Sequence, residues 1–275
     1  MTLILSLASA APGARPPKEL LPTGQSITPV AVPGACFTPL VANTGPHPSY
    51  EADGAAAIAV SPDSREMLVL TSGFNRYNGP DGKLVEKQST QYIFRYAISE
   101  KGARRLQTLQ VPNSFVGIAW RPGGDWFIVG GGVDDALYTF RRQGSRFVLE
   151  SKIGLGHKAG LGAHVRPQAA GVAVSPDGRR ALVANYYNDS VSLVDLAARK
   201  VVAEQDLRPG KIDPAASGVP GGEFPFAVAW TDASHAWISS PRDRQLIAIL
   251  ETPAGLRVTS RVSTIGEPTA LLVES

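Results

Sequence analysis

Residues Ala169 to Leu207 read AAGVAVSPDGRRALVANYYNDSVSLVDLAARKVVAEQDL. A small-residue apolar strand (Gly171 to Val174) meets a turn (Ser175-Pro176-Asp177-Gly178) in which proline presets φ and Asp and Gly accept the bend. A second apolar strand follows (Ala181 to Ala184), then a turn carrying Asn188-Asp189, an alternating strand (Ser190 to Val194), a polar turn through Ala197 to Lys200, and a fourth strand from Val201 to Leu207. The same pattern recurs as AAAIAVSPDSREMLVL from Ala55, FVGIAWRPGGDWFIVGGGVDDALYTF from Phe115 and FAVAWTDASHAWISSPRDRQLIAIL from Phe226, and a fifth copy, GEPTALLVES, starts at Gly266. Repeats of this size are single supersecondary units that bury their faces only by stacking on one another. Four antiparallel strands per unit predict an all-β fold, a β-propeller of four-stranded blades, with blades starting near 55, 115, 169 and 225.

Spacing locates the insertions. The inner-strand positions Ala57, Gly117, Gly171 and Ala227 lie 60, 54 and 56 residues apart, whereas Ala227 to Ala270 is 43, close to an ordinary blade. The surplus falls in Asn75 to Gln88, Ile153 to Pro167 and Arg208 to Phe224. The last two precede an inner strand and are expected on the face that surrounds the central channel, where a propeller binds its ligands.

Bulk properties exclude several classes. The 275 residues are 43% hydrophobic and 19% charged, with a net charge of +3. Lysine and arginine are scattered, so no nucleic-acid footprint is present. No stretch is long and apolar enough for a membrane helix. The N-terminus, MTLILSLASAAPGARPP, has the apolar run and small residues of a secretory signal without its leading positive charge, so residues 1–19 are read as signal-like or unstructured. The signal-like reading would place the protein in the periplasm or outside the cell. Cys36 is the single cysteine, so no internal disulfide forms, and it is read as a buried small hydrophobe.

Candidate ligand-binding residues sit in the two longer inserts. His157 and Lys158 lie in the glycine-flanked loop GLGHKAGLG, whose backbone N–H groups could cradle an anion although the phosphate-loop order is absent. Arg208, Lys211, Asp213 and Glu223 occupy the longest insert and form a mixed charge cluster suited to a polar ligand or a partner domain. The four histidines, His47, His157, His164 and His235, have no metal-ligand spacing, and no nucleophile elbow occurs, so no metal, cofactor or catalytic residue is assigned. Asp134, Asn188 and Asp243 recur at one place in successive blades and are read as turn-capping residues.

The core VANYYNDSVSLVD (Val183 to Asp195) resembles the YVTN-type repeat of bacterial β-propellers. With LLPTGQSITPVAVPG (Leu20 to Gly34), LGHKAGLG (Leu155 to Gly162) and DLRPGKIDPAASGVPGGEFPF (Asp206 to Phe226), the chain is similar to the propeller half of YncE-like proteins fused to an alkaline-phosphatase-superfamily phosphoesterase. That resemblance implies seven blades followed by a metal-dependent phosphoesterase in an exported protein. Only four repeats and the start of a fifth are present, and no residue matches a phosphoesterase ligand or nucleophile. The expectation is therefore an N-terminal fragment, residues 20–275, acting as a non-catalytic recognition or scaffolding module. Its partner would be the missing phosphoesterase domain or another protein, and its open blade faces would favour self-association. The alternatives are a lactonase-like propeller hydrolase, disfavoured because the inner-strand starts carry Ala, Gly and Phe, and an exported adhesion protein built from the same repeats.

Overall fold

A computed structural model describes residues 19–20, 24, 26–27, 39–45, 47–73, 75–100 and 102–274. The signal-like N-terminus, Cys36 and most of the 20–34 segment lie outside the described residues. The chain divides at residue 40 into two units. In the first, β1 (Glu19–Leu20) pairs antiparallel with β2 (Ser26–Ile27).

The second unit holds four sheets of four antiparallel strands, consecutive in sequence. The first blade is β3 (Ala55–Val60), β4 (Glu66–Thr71), β5 (Gln91–Ser99) and β6 (Gly102–Val111). The second is β7 (Ile118–Trp120), β8 (Trp126–Gly130), β9 (Ala136–Gln143) and β10 (Arg146–Gly154). The third is β11 (Ala169–Val174), β12 (Arg180–Asn185), β13 (Ser190–Asp195) and β14 (Lys200–Asp206). The fourth is β15 (Val228–Trp230), β16 (His235–Ser240), β17 (Gln245–Thr252) and β18 (Gly255–Ser263). Residues 267–274, where the fifth copy of the repeat runs, pair with no strand.

The first turn of the repeat works through its serine and aspartate. Ser61 donates to Asp63 at 2.6 Å and accepts the Glu66 N–H at 2.9 Å, and Ser175 repeats both contacts with Asp177 and Arg180 at 2.6 and 2.9 Å. The left-handed residue that closes each turn is Ser64, Gly124 or Gly178. In the fourth blade Thr231 stands at the serine position, and the next residue, Asp232, accepts the N–H groups of Ser234 and His235.

The hydrophobic cores lie between blades, not within them. Leu68, Leu70 and Ile93 of the first blade pack on Trp120, Phe127 and Phe140 of the second. The opposite face of the second blade, with Trp126, Ile128 and Leu137, packs on Val172, Ala181 and Val183 of the third. Leu182, Ala184 and Leu193 of the third then meet Trp230, Ile238 and Ile247 of the fourth. This follows from strand alternation, which sends successive side chains to opposite faces. Two junctions share a hydrogen bond from an indole: Trp120 Nε1 donates to the Ala59 carbonyl at 3.1 Å and Trp230 Nε1 to the Ala173 carbonyl at 3.4 Å. Trp120 and Trp230 are thus packing residues.

Charge also crosses the first junction. Glu66 on β4 pairs with Arg95 on β5 and with Arg142 on β9, the latter at 3.2 Å. Both guanidiniums lie over the Phe147 ring, at 5.0 and 4.4 Å. Burial works against the Glu66 carboxylate, but the two guanidiniums outweigh it and hold the carboxyl below its ordinary range. On the far side of the first blade, Ile58 and Val60 are 64% and 51% exposed, because no described blade covers that face of β3.

Candidate functional site

Antiparallel order places two sets of connections at one end of the blades: those from second to third strand, and those from fourth strand to the next blade's first. All three long inserts therefore emerge at the same end. Between the first two blades this end forms a cleft of about 830 Å³. Its walls come from the first insert (Asn75, Arg76, Glu86, Lys87), the 112–116 loop, Asp134, and Arg166 with Gln168 just before β11.

Three cations, Arg76, Lys87 and Arg166, face two carboxylates, Glu86 and Asp134. Asp134 is already engaged: it accepts from Asn113 Nδ2 at 2.6 Å and from the Tyr138 hydroxyl at 2.5 Å. Burial and this carboxylate together raise the Tyr138 pKa, so the phenol stays protonated as donor. Among the described residues Arg76 and Lys87 have no hydrogen-bond or ion-pair partner. Arg166 donates once, to the Val133 carbonyl at 3.3 Å.

The buried wall is amide-rich. Gln91 is 7% exposed and accepts at Oε1 from Asn75 Nδ2 at 2.9 Å and Thr71 Oγ1 at 3.2 Å. Its Nε2 has no hydrogen-bond partner among the described residues and is not itself a buried atom, so this amide donor is open along the cleft. Asn75 is fixed in turn by Asp53, to whose carbonyl it donates at 3.0 Å and whose N–H it accepts at 2.8 Å. Cations at the rim beside an unpaired amide donor have the chemistry that suits a small, hydroxyl-bearing anion.

The six residues nominated from sequence fall elsewhere, and none lines this cleft. His157 ties the second blade to the third. Its N–H and its Nδ1 each lie 2.6 Å from an Asp135 oxygen, and its Nε2 lies 3.0 Å from Glu204, which also accepts from Ser190. Lys158 is exposed beside it. Arg208 is bound to Asp206 through Nε at 3.0 Å and Nη2 at 2.5 Å. Lys211 is exposed, and Asp213 caps a short helical turn by accepting the Ala215 N–H at 3.0 Å. Glu223 pairs with Arg242 at 3.3 Å. Arg208 and Glu223 share one neighbour, the buried Asp189, whose carboxyl is raised first by burial and then by Glu223.

Burial disfavours the imidazolium of His157, yet the hydrogen bonds and charges of Asp135 and Glu204 win and push its pKa up to about 9. A raised histidine stabilises the fold fully below its ordinary pKa, and that contribution is lost as pH rises through the folded value. Wild-type stability should therefore fall by about 2 kcal/mol between neutral pH and pH 10, after allowing for solvent screening of the half-buried site. Thermal denaturation across that range checks it: His157→Gln should flatten the decline, and an equal slope in both proteins would remove His157 as its source.

Asp134, Asn188 and Asp243 are structural, but their reach is longer than a local cap. Asn188 donates to the Ala159 carbonyl at 2.9 Å and Asp243 accepts the Glu223 N–H at 2.7 Å, so each turn holds the insert beside it. Sequence reading missed the cleft because it followed the two inserts that precede inner strands. Arg76 and Lys87 sit in the first insert, between the second and third strands of the first blade, and the parity of antiparallel strands was the signal that places it at the same end.

No protein-family model matches this sequence, and no curated protein matches it. Solved structures do. The periplasmic gluconolactonase PpgL of Pseudomonas aeruginosa is similar over 83% of this chain and 62% of its own, with a TM-score of 0.55 at 18% identity. A putative 6-phosphogluconolactonase from Bacteroides fragilis gives 0.54 at 11% identity, covering 79% of this chain and 59% of its own. The Cps50 (Swd1) β-propeller domain of Myceliophteria thermophila gives 0.52 at 9% identity, covering 76% and 58%.

The fold is a β-propeller. The chain spans less than two thirds of each of these structures. At such identities the likeness carries the architecture and leaves the chemistry to the residues themselves. Among the described residues no group of three or more His, Cys, Asp or Glu side chains could hold a metal, and no helix is long and apolar enough to cross a membrane.

Proposed function

We propose that this chain is the recognition module of a larger YncE-like exported protein, and that its cleft between the first two blades binds a small polyhydroxylated anion. The observation that carries this reading is the pairing of the unpartnered Arg76 and Lys87 with the unpartnered amide donor of Gln91 on the cleft wall. Cations supply attraction, and the fixed amide supplies orientation. The chain's four blades, from Ala55 to Ser263, present ligand or partner to a phosphoesterase domain. The outer faces of its first and fourth blades seat further blade surface or a second copy.

A second reading has its own support in the gluconolactonase neighbours: hydrolysis of a sugar lactone at the same cleft. Asp134 is committed to two hydrogen bonds, so Glu86 would serve as base. Titration calorimetry with gluconate and 6-phosphogluconate, run beside a glucono-δ-lactone hydrolysis assay, separates the two. Binding weakened about tenfold by Arg76→Ala or Lys87→Ala, with no acceleration of lactone opening, is the expected result. Turnover abolished by Glu86→Gln would install the hydrolase instead, and absence of binding and turnover would overturn both.

A further inference from the structure

Phe115 belongs to two surfaces at once. It lines the cleft, and its ring meets Tyr186 and Phe226 edge-on, each at 5.6 Å between centroids. Tyr186 stacks on Phe224 at 4.8 Å and 20°, and Tyr187 meets Phe224 at 5.9 Å and 89°. The Arg242 guanidinium covers Phe224 at 4.9 Å from its centroid. An aromatic shelf thus continues from the cleft across the second, third and fourth blades at the same end.

Its construction is costly. Phe224 has φ of 55°, a left-handed conformation that bulky side chains rarely take. The strain is held by the Phe224 N–H, which donates to the buried Asp189 at 3.2 Å. Strained residues persist where the surroundings over-determine them, and they concentrate at ligand sites. Here the strain sets a ring under Tyr186 at a surface where it stays partly exposed to solvent.

The shelf is apolar with a polar rim. Tyr187 is 37% exposed, and among the described residues the hydroxyls of Tyr186 and Tyr187 have no hydrogen-bond partner. The Arg242–Glu223 pair, 57% and 39% exposed, borders it. Aromatic faces beside free hydroxyls, a guanidinium and a carboxylate match a sugar ring, whose C–H face is apolar and whose edge bears hydroxyls. The adjoining cleft supplies cations for a carboxylate.

We infer that cleft and shelf are two subsites of one elongated site for an acidic oligosaccharide, with a uronate in the cleft and the following sugar on the shelf. This rests on the anion-binding reading of the cleft and extends it through Phe115. Calorimetric titration with galacturonate and with trigalacturonate tests it. In the wild type the trimer should bind about tenfold tighter than the monomer, because the second subsite adds contacts within one ligand. Tyr187→Ala, at an exposed position, should erase that gain while leaving monomer affinity unchanged, and Arg242→Ala should reduce it. Monomer binding with no trimer gain, or a gain that survives both substitutions, overturns the shelf and leaves the cleft standing. No binding of either sugar overturns the cleft and the inference with it.

Discussion

Gly171→Ala should cost the protein about 3 kcal/mol or more, an effect out of proportion to one methyl group. A Cβ at this position would lie 2.2 Å from the Phe226 carbonyl oxygen and 2.9 Å from the Ala227 Cα. These are backbone atoms of the adjoining blade segment, and the Gly171 N–H donates to that same oxygen at 2.7 Å. Neither side can swing away as a flexible side chain would. The first strand of the third blade and the start of the fourth would have to separate, opening the core around Trp230. Gly117 makes the corresponding approach one junction earlier, 2.1 Å from the Ala170 oxygen, so Gly117→Ala should behave alike. Gly154→Ala is the control, since nothing lies within 4 Å of its Cβ position. Chemical denaturation should separate the two classes clearly. A Gly171→Ala protein as stable as the Gly154→Ala control would remove close backbone approach as the principle of blade packing.

Glu66→Ala should be the second large loss, about 3–5 kcal/mol. The substitution removes the shared anion and leaves Arg95, whose side chain is only 5% exposed, as a buried charge without its carboxylate. Arg95 keeps its bond to the Ser145 carbonyl at 2.8 Å and its place on Phe147, which do not neutralise it. Pairing Glu66→Ala with Arg95→Met should recover much of the loss, because removing both partners removes the desolvated charge. Denaturation of the two single variants and the double variant forms the cycle. Additive losses would mean that Glu66 and Arg95 act independently and that the triad is incidental.

The blades were readable because their signals are local. Pro62 and Pro176 preset turns, Asp63 and Asp177 cap them, and the alternation in Ser190 to Val194 declares a strand within six residues. The candidate site was less so. Nothing in GLGHKAGLG states that Asp135 and Glu204, 22 and 47 residues from His157, will take both of its ring nitrogens. Arg208 likewise looked free until Asp206, two residues before it, closed on it. A charged residue in an insert is available or spent according to partners brought in by tertiary packing, which a linear pattern does not encode. Phe224 shows the limit most clearly, since its left-handed backbone is imposed by Asp189, 35 residues earlier.

Because every core here straddles two blades, the sheets are boundaries and the spaces between them are the cooperative bodies. A strand of the second blade answers to two masters: Phe127 melts with the first junction and Ile128 with the second. Loosening one junction therefore strips one face from a sheet whose other face remains held. Disorder can then advance by half-blades, and a ligand bridging several blades at one end fastens more than one of those bodies together.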